Sequence, residues 1–393
     1  MNLRSTSSRL VGERAAQPPS AVYAGHTCAA RTAQQLGFDS IIQRVLRIGK
    51  LQFDFPVIQA ALSGYSDAPM RVIARRHGAP LCLHEVVLDK LVLNPGKLRP
   101  RILALDPEDH PVGGQIMGAD AEQFARAALA MVDAGFDLID INFGCPVKKV
   151  LGRRRGGFLL SEPGAAIKII KCVRDAVPPD VPVTLKMRSG MDASPASERN
   201  FFHILDAAFD AALDAVTVHP RTVKQRYVGP SDWEFLTRVK RRAGDKIILG
   251  SGDLYTAGDI RRMFEQTGVD GATAARGCIG NPWIFHETRA LLDDGRTLDP
   301  PSVVSQGRVI REHFSLSAMA YGEKHAARVM RKFGIKYAEL HPDYLAVRDA
   351  FVAVRGAADW FMVLDKWYDP QRVWSPGRRK TGPDHLVAAG AEP

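Results

Sequence analysis

A cysteine stands between a glycine and a proline in the segment DINFGCPVKKVLGRRRGGFLL, residues 140–160. This residue, Cys145, follows an apolar run typical of a buried strand, and Lys148, Lys149 and Arg153–Arg155 come directly after it. A packing cysteine needs no such setting, whereas a reactive thiol benefits from nearby cations. No second cysteine lies nearby in sequence to form a redox pair. The setting suits an acid, a nucleophile or a redox partner, with a small buried side chain as the alternative.

Polar residues end the other apolar runs of the chain in the same way. They are Ser63, Glu85, Gln115, Asn142, Lys186, Arg188, His219, Arg221, Ser251, Asp253 and Arg276. In a parallel barrel the carboxyl ends of the strands meet at one face, which is where active sites lie. We therefore expect these side chains to surround one mouth together with Cys145. Any one of them alone would also fit a turn or a solvated surface.

Two glycine-containing turns predict a phosphate site at that mouth. The segments GSGD and ARGCIGNP, residues 250–253 and 275–282, follow the seventh and eighth apolar runs. Glycine lets backbone N–H groups approach phosphate oxygens closely, and Arg276 would add a charged fork. Lys186 and His219 would lie at the same mouth, where a cation stabilises the reduced form of an electron-accepting ring. This combination suits a flavin, with a Schiff-base lysine as the alternative.

The elements that must position these residues are visible as eight short apolar runs from about residue 53 onward. The runs are FPVIQAAL, PLCLHEVV, PVGGQIMG, LIDINFG, VPVTLKMRSG, AVTVHPR, KIILGSGD and DGATAARG. Amphipathic segments such as DAEQFARAALAMVDAG lie between most of them, and several end in glycine, a usual helix stop. This alternation predicts a parallel sheet covered on both faces, and eight repeats predict a (β/α)8 TIM barrel. A doubly wound open sheet is the alternative, although its early G-x-G-x-x-G turn is not found.

The strand-like runs stop at DPPSVV, near residue 300, and the segments that follow predict a small all-α domain. In EKHAARVMRKFGIK, five basic residues recur at helical spacing opposite an apolar face. They are Lys324, Arg328, Arg331, Lys332 and Lys336. Such a stripe could follow a phosphate backbone or be a solvated face. The formal net charge of +10 also favours a polyanionic partner.

These patterns divide the 393 residues into four parts. We expect a flexible extension at 1–50, a barrel at 51–300, a helical domain at 301–370 and a disordered tail at 371–393. No apolar run approaches the ~20 residues of a membrane span, and we find no secretory signal. Five scattered cysteines argue against a disulfide framework and against a CxxC metal site. We expect a cytoplasmic monomer that uses no metal.

The sequence resembles the tRNA-dihydrouridine synthases, flavin-dependent enzymes that reduce uridine in RNA. The resemblance runs from about residue 53 to about residue 366. Its most specific segment is DINFGCPVKKVLGRRRGGFLL, and it is supported by VTLKMRSGMD, VTVHPRT, YVGPSDW, GSGD, ARGCIGNPW and YGEKHAARVMRK. The resemblance implies an FMN-binding barrel, a helical RNA-binding domain, tRNA as the substrate and NADPH as the reductant.

The resemblance also implies roles for individual residues. Cys145 would be the general acid that protonates C5 of uracil, and Asn142 would help to hold the flipped-out base. Three residues of the basic stripe would contact RNA, namely Arg328, Arg331 and Lys332. The other residues would bind FMN: Ala61, Leu62 and Ser63 under the ring, Gln115, Lys186 and His219 at the ring system, and Ser251, Gly252, Asp253, Ala275 and Arg276 at the phosphate.

Three positions in the implied flavin site differ from the usual family pattern. Ala60-Ala61-Leu62 replaces A-P-M, Ser251 replaces an asparagine, and Ala275 replaces a glycine. Two alternative functions therefore stay open. One is an FMN-dependent reductase of a small enone or pyrimidine, which would not need the basic stripe. The other is an RNA-binding protein that has lost its flavin, against which the retained Cys145 argues.

Overall fold

A short hairpin precedes the barrel in the computed structural model, which describes residues 45–382. Strands β1 (Leu46–Ile48) and β2 (Leu51–Phe53) pair antiparallel. Their apolar side chains form one cluster with residues at the beginnings of barrel strands, among them Ile58, Leu81 and Leu138, so the hairpin closes the N-terminal end of the barrel. Part of the extension predicted to be flexible therefore belongs to this hairpin, and residues 1–44 lie outside the described residues.

Eight parallel strands close into the predicted barrel, which confirms the (β/α)8 fold. The ring closes because β3 pairs with the last strand and the second barrel strand pairs with the third. The strands, with the short β5 that continues β4, are β3 (Val57–Gln59), β4 (Cys82–Leu83), β5 (Val87–Leu88), β6 (Val112–Met117), β7 (Leu138–Phe143), β8 (Val183–Arg188), β9 (Ala215–His219), β10 (Ile248–Gly250) and β11 (Gly271–Ala274).

The second predicted strand, PLCLHEVV, is broken into β4 and β5. Both pieces pair with β6, Cys82 with Val112 and Val87 with Ile116. The chain between the pieces is thus one residue longer than the stretch of β6 that it faces, which is a β-bulge. The apolar pattern of the sequence does not predict such a bulge, because the extra residue is apparent only from the pairing with the neighbouring strand.

Helices lie around the barrel, on its outer surface or in the loops between its strands. They are α1 (Ala68–Arg76), α2 (Asp89–Leu93), α3 (Arg99–Leu103), α4 (Ala121–Asp133), α5 (Lys148–Leu151), α6 (Pro163–Ala176), α7 (Pro195–Asp210), α8 (Trp233–Ala243), α9 (Ala257–Thr267) and α10 (Ile284–Asp293). Several begin at a side chain that caps the third helical N–H: Asp67 accepts from Met70, and Asp120 accepts from Gln123. At α9 the cap is a reciprocal capping box with Thr256.

Four helices follow the barrel, as the sequence predicts. They are α11 (Val303–Tyr321), α12 (Glu323–Tyr337), α13 (Tyr344–Ala353) and α14 (Ala357–Trp367). Their core is aromatic: Trp360 is fully buried against Phe314 and Phe351, with ring centroids 5.3 and 4.9 Å away. These residues belong to the same continuous hydrophobic cluster as the barrel–helix layer.

The chain after α14 has a defined path as far as residue 382, although the sequence predicts disorder from 371. Arg378 N donates to Leu340 O at 2.7 Å, and the Lys380 side chain is buried. The remaining residues of that predicted tail, 383–393, are not among the described ones. Between residues 45 and 382 no helix is long and apolar enough to span a membrane, and no group of three His, Cys, Asp or Glu side chains could hold a metal ion.

Candidate active site

The strand register brings the predicted polar residues to one mouth of the barrel. Asn142 lies opposite Lys186 on the neighbouring strand, and Arg188 lies opposite His219. Successive side chains alternate between the two faces of a strand, and the residues between these, such as Met187, pack in the helix-covered layer. The polar side chains therefore point into the barrel, near the carboxyl ends of its strands.

A chain of buried hydrogen bonds crosses three strands below this mouth. Thr184 Oγ1 donates to Asp140 Oδ1, and Gln115 Nε2 donates to Asp140 Oδ2, each at 2.6 Å. Asn142 Nδ2 then donates to Gln115 Oε1, also at 2.6 Å. Burial raises the pKa of Asp140, while its bonds from Thr184 and Gln115 act in the opposite direction. Because both Asp140 oxygens accept hydrogen bonds, Gln115 presents its amide nitrogen to Asp140 and its oxygen to Asn142.

This chain of bonds ends at the loop that carries the cysteine. Asn142 Oδ1 accepts from the backbone N–H groups of Gly144 and Cys145, at 3.0 and 3.1 Å. The Asn142 oxygen is thus used inside the protein, and one N–H of its amide is left for a ligand. The structure gives Asn142 and Gln115 a role in shaping the cysteine loop, which sequence motifs alone do not reveal.

The Cys145 thiol is half-buried at the rim of the mouth. Its backbone oxygen accepts from Gly157 N at 3.1 Å, and Arg188 Nε donates to Gly144 O at 3.0 Å, so the loop is held on both sides. Lys148, Lys149 and Arg153 are exposed, while Arg154 pairs with Glu162 at 2.9 Å. The basic segment therefore borders the cysteine loop and presents several charges to solvent.

Lys186 and His219 differ in charge at neutral pH. Burial lowers the pKa of Lys186 to about 8, and Arg188 lowers it as well, whereas Asp140 and Cys145 act to raise it. Burial and then the nearby cations, of which Lys186 is the first, hold the pKa of His219 well below its usual value. The site accordingly combines a mostly protonated lysine with a neutral imidazole.

Two polar atoms at the mouth lack a protein partner. His219 Nδ1 is buried and has none, and Lys186 Nζ makes no hydrogen bond to any residue in the range 45–382. Lys186 Nζ and His219 Nδ1 are therefore available to a ligand, which must offer hydrogen-bond partners to both. A flat heteroaromatic ring with carbonyl and N–H groups, as in a flavin, fits this requirement.

The loops after β10 and β11 form a cradle suited to a phosphate. The backbone N–H groups of Gly252, Asp253 and Ala275 have no hydrogen-bond partner within the described part of the chain. Gly252 has φ +107°, and a Cβ there would lie 2.3 Å from Ser231 Oγ, so only glycine fits. Ser251 is buried beside this cradle, and Arg276 lies at its edge.

The Asp253 carboxylate is already used by an arginine. Arg221 donates to both of its oxygens, at 2.9 and 2.7 Å, and Ser231 N donates at 2.8 Å. Arg276 Nη2 lies 3.6 Å from the same carboxylate. Asp253 can therefore serve a phosphate through its backbone N–H, while its side chain fixes the loop. The buried Arg221, which also donates to Gly229 O, ties the loops after β9 and β10 together.

The loop after β3 lies on another side of the mouth. Ala61 and Leu62 are half-buried and Ser63 is exposed. Leu62 N donates to Ser66 Oγ at 2.8 Å, which fixes the start of the loop. Here the chain offers backbone and the apolar side chains of Ala61 and Leu62, and the assignment of these residues to the underside of a flat ring stays a prediction.

Helix α12 carries the predicted basic stripe, but its members differ. Ala327, Met330 and Phe333 are buried, which confirms the apolar face. Lys324, Arg328 and Arg331 are exposed. Lys332 Nζ instead donates to Gly64 O in the loop after β3, and it lies 5.0 Å from the centre of the Tyr65 ring. Lys332 thus connects α12 to the barrel mouth, and Lys336 pairs with Glu339 at 3.0 Å.

Tyr227 is a residue of the site to which the sequence assigns no role. It lies on the loop after β9 and is about half exposed. The guanidinium groups of Arg276 and Arg188 lie 4.4 and 5.2 Å from the centre of its ring, and its ring is 6.4 Å from that of His219. The motif YVGPSDW contains this residue, but only the fold reveals that it joins two of the arginines.

Known proteins match this sequence over most of its length. Residues 58–364 match the family described as dihydrouridine synthase (Dus). The tRNA-dihydrouridine synthase B of Pseudomonas putida is 34% identical over 312 residues, covering 79% of this chain and 90% of that relative. The protein of the same name from Shewanella oneidensis is 32% identical over 325 residues, covering 82% and 98%.

Solved structures share the barrel fold at low sequence identity. A 2-naphthoyl-CoA reductase in complex with 2-naphthoyl-CoA aligns with a TM-score of 0.53 and 11% identity, covering 88% of this chain and 72% of that chain. Histamine dehydrogenase from Rhizobium sp. 4-9 aligns with a TM-score of 0.51 and 17% identity, covering 70% and 51%. At these identities the likeness concerns the fold alone.

Proposed function

The chain belongs to the dihydrouridine synthase family, and we propose that it reduces the C5–C6 double bond of uridines in tRNA. We further propose FMN as its cofactor, NADPH as the reductant, and a cytoplasmic monomer as the working form. The relatives named above are tRNA-dihydrouridine synthases, and this chain covers nine tenths or more of their length. The residues of the mouth fit a flavin, as the unpaired polar atoms and the glycine cradle indicate.

One observation carries this proposal, namely the hydrogen-bond chain that fixes the Cys145 loop beside Lys186. It links three strands to the loop through Asp140, Gln115 and Asn142. A barrel that needed only a stable core would leave no reason for such a buried polar chain, because each member must be satisfied to avoid a penalty. A reaction that needs a thiol held at a fixed height above a ring supplies that reason.

Bound FMN would supply the hydride that reduces C6 of the uracil. The chain's own residues then have distinct tasks. Cys145 would donate a proton to C5 from the rim of the mouth, and Asn142 would hold the base with its remaining amide N–H. Lys186 and His219 would pair with polar atoms of the ring. The cradle at Gly252 would hold the cofactor's phosphate through backbone N–H groups.

The uridine must leave its stack to reach this mouth, as in other base-modifying enzymes. We propose that residues 51–300 form the catalytic domain and residues 301–370 an RNA-binding domain. Arg328 and Arg331, which are exposed on α12, would contact phosphates of the tRNA. We assign Lys332 to the junction of α12 with the barrel, because its ammonium group is bonded to Gly64 O.

Nucleoside mass spectrometry on fractionated RNA tests the proposal. RNA from cells lacking the gene should have less dihydrouridine in the tRNA fraction, and the wild-type gene should restore it. The variant Cys145→Ala is the matched control, because it should bind FMN and yet fail to restore the modification. Unchanged dihydrouridine in every fraction, with no redundant enzyme present, would contradict the proposal. A flavin spectrum of the purified protein would then separate a small-enone reductase from a flavin-free RNA-binding protein.

A further inference from the structure

The last described residues, 377–382, cross from the helical region to the barrel, and we call them the C-terminal strap. Arg378 N donates to Leu340 O at 2.7 Å, and the Arg379 guanidinium donates to Leu298 O. At Gly377 a Cβ would lie 2.2 Å from Pro301 O, so the backbones are in close contact. The strap is thus fixed against two separate connections of the helical region.

The Lys380 side chain passes from the strap into the protein interior. Its Nζ donates to Ile279 O at 2.5 Å and lies 3.3 Å from Glu339 Oε2. Glu339 also accepts from Lys336 at 3.0 Å. Burial lowers the pKa of Lys380, while Glu339 acts to raise it. A buried ammonium group persists only where partners compensate its lost hydration, so these contacts fix the lysine firmly.

Ile279 directly follows the turn that carries Arg276. Within this turn Cys278 N donates to Ala275 O at 3.1 Å, and Cys278 Sγ contacts the same oxygen at 3.0 Å. The Lys380 contact therefore lies at the end of one tight turn whose beginning supplies Ala275 and Arg276 to the phosphate cradle.

The strap also approaches the cradle from a second direction. A Cβ on Gly382 would lie 3.3 Å from the ring of Tyr255. That ring in turn lies 5.3 Å from the Arg276 guanidinium carbon. The strap thus bonds to Ile279, three residues after the arginine of the cradle, and passes close to Tyr255, whose ring lies near that arginine.

We propose that Lys380 is a positioning residue for the phosphate end of the flavin site. It anchors the turn of Ala275 and Arg276 to Glu339 in the helical region, so that the free N–H groups of the cradle are preorganised before the cofactor binds. This inference rests on the proposed function, because it assigns the cradle to the FMN phosphate. Preorganisation lowers the entropy cost of binding, so loss of the anchor should weaken FMN binding and leave the chemical step intact.

The test compares Lys380→Met with Lys366→Met in the full-length protein. Lys366 is an exposed lysine of α14, which makes it a matched control. The dissociation constant of FMN is measured by quenching of FMN fluorescence on titration with apoprotein. We expect Lys380→Met to weaken FMN binding about ten-fold, within the usual range of coupling between linked sites, and Lys366→Met to have no effect. Turnover at saturating FMN should stay within a factor of two or so of wild type.

Two further measurements separate a positioning role from general destabilisation. The first is the melting temperature of each apoprotein variant, compared with its affinity for FMN. Lys380→Arg keeps the charge and should recover most of the FMN affinity at a melting temperature similar to that of Lys380→Met, which would show that lower stability does not cause the loss of affinity. Glu339→Gln serves as a second variant if Lys380→Met does not fold, and it should weaken FMN binding in the same direction. If both variants bind FMN like wild type, the inference is overturned. If wild type itself binds no FMN, the proposed function fails instead.

Discussion

At the scale of single residues, we assign the proton-donating role to Cys145. Its loop is fixed by Asn142 and Arg188, and its thiol is half-buried at the rim. Cys145→Ala should bind FMN and be reduced by NADPH at wild-type rates, because neither step uses the thiol. Formation of dihydrouridine should fall by a factor of about 100 to 10,000, the usual contribution of a general acid. Single-turnover oxidation of the reduced enzyme by tRNA measures this, and full activity would remove Cys145 from the mechanism.

We expect Lys186 to make the affinity for FMN depend on pH. Because burial lowers its pKa to about 8, the lysine is charged at pH 7 and loses its proton as the pH rises through that value. The affinity of the apoprotein for FMN should therefore fall between about pH 7 and pH 9. His219 is neutral throughout this range, because its pKa lies well below the usual value. Lys186→Arg should abolish the decline, since a guanidinium does not titrate there, and an unchanged pH profile would contradict the assignment.

The role of Asp140 is not predictable from the sequence. The motif D-x-N-x-G-C-P contains it, yet its role depends on the cross-strand register with Gln115 and on Thr184 of the next strand. Residues such as Arg188 and His219 are predictable because they end their strands. Asp140 lies inside a strand, where the sequence shows only a single polar residue within an apolar run. Tyr227 lies in a loop, and the sequence does not predict the path of that loop.

Asp140→Asn tests that hydrogen-bond chain. The new amide introduces a donor where two donors already converge, so at least one buried group loses its partner. We expect the free energy of unfolding to fall by about 1–3 kcal/mol, as measured by urea denaturation. Activity should fall as well, since the side-chain amides of Gln115 and Asn142 can then flip, which would change the hydrogen bonds that hold the cysteine loop. Asp175→Asn, at an exposed position of α6, should leave both unchanged, and an equal loss there would mean that the effect is not specific to the chain of bonds.

At the scale of elements, all eight barrel strands are predictable because each is a short apolar run with a helix-like segment nearby. The interruption between β4 and β5 is not, and neither is the hairpin of β1 and β2, whose few residues carry no strong pattern. The sequence also does not predict that the basic residues of α12 have different contacts. Helical spacing puts Arg328, Arg331 and Lys332 on one stripe, but only the docked helix shows that Lys332 reaches Gly64 O.

This difference can be tested by changing the two classes of residue separately. Reversing Arg328 and Arg331 to Glu should weaken tRNA binding, and the slope of log affinity against log salt should fall by roughly 1 for each phosphate that the protein no longer neutralises. Binding of FMN should not change. A matched reversal at Arg241 and Lys246, which are exposed at the end of α8 and beyond it, should have a smaller effect on tRNA.

Lys332→Met should give the opposite result. Its ammonium group is already bonded to the loop after β3, so its loss should disturb FMN binding more than the salt dependence of tRNA binding. If Lys332→Met lowers the salt slope as strongly as the arginine reversals do, the lysine contacts RNA as the sequence alone predicts. For the arginine reversals, tRNA binding equal to that of wild type would show that the RNA site lies elsewhere on the protein.

At the scale of the whole molecule, the barrel and the helical region share one hydrophobic cluster. It runs from strand residues such as Ile139 to Phe333 and Trp360 of the helices. The buried pair of Lys380 and Glu339 adds a polar connection between the same two parts. Domain boundaries read from composition mark where the secondary structure changes, but they do not show whether two parts unfold separately. A continuous core indicates that they unfold together.

Flavin binding should consequently stabilise the entire chain and not the barrel alone. A ligand bound only by the native state adds about 2.7 kcal/mol at a free concentration 100 times its dissociation constant, which for a chain of this size raises the melting temperature by roughly 3 °C. Trp360 is fully buried in the helical region, so replacing the other four tryptophans by Phe makes its fluorescence a probe of that region. The Trp360 signal and far-UV circular dichroism should show one transition at one midpoint, and FMN should move both equally. The contrary result would be two transitions, in which FMN shifts the barrel transition and leaves the Trp360 transition where it was. The helical region would then be an independent folding unit, and the shared core would not couple it to the site.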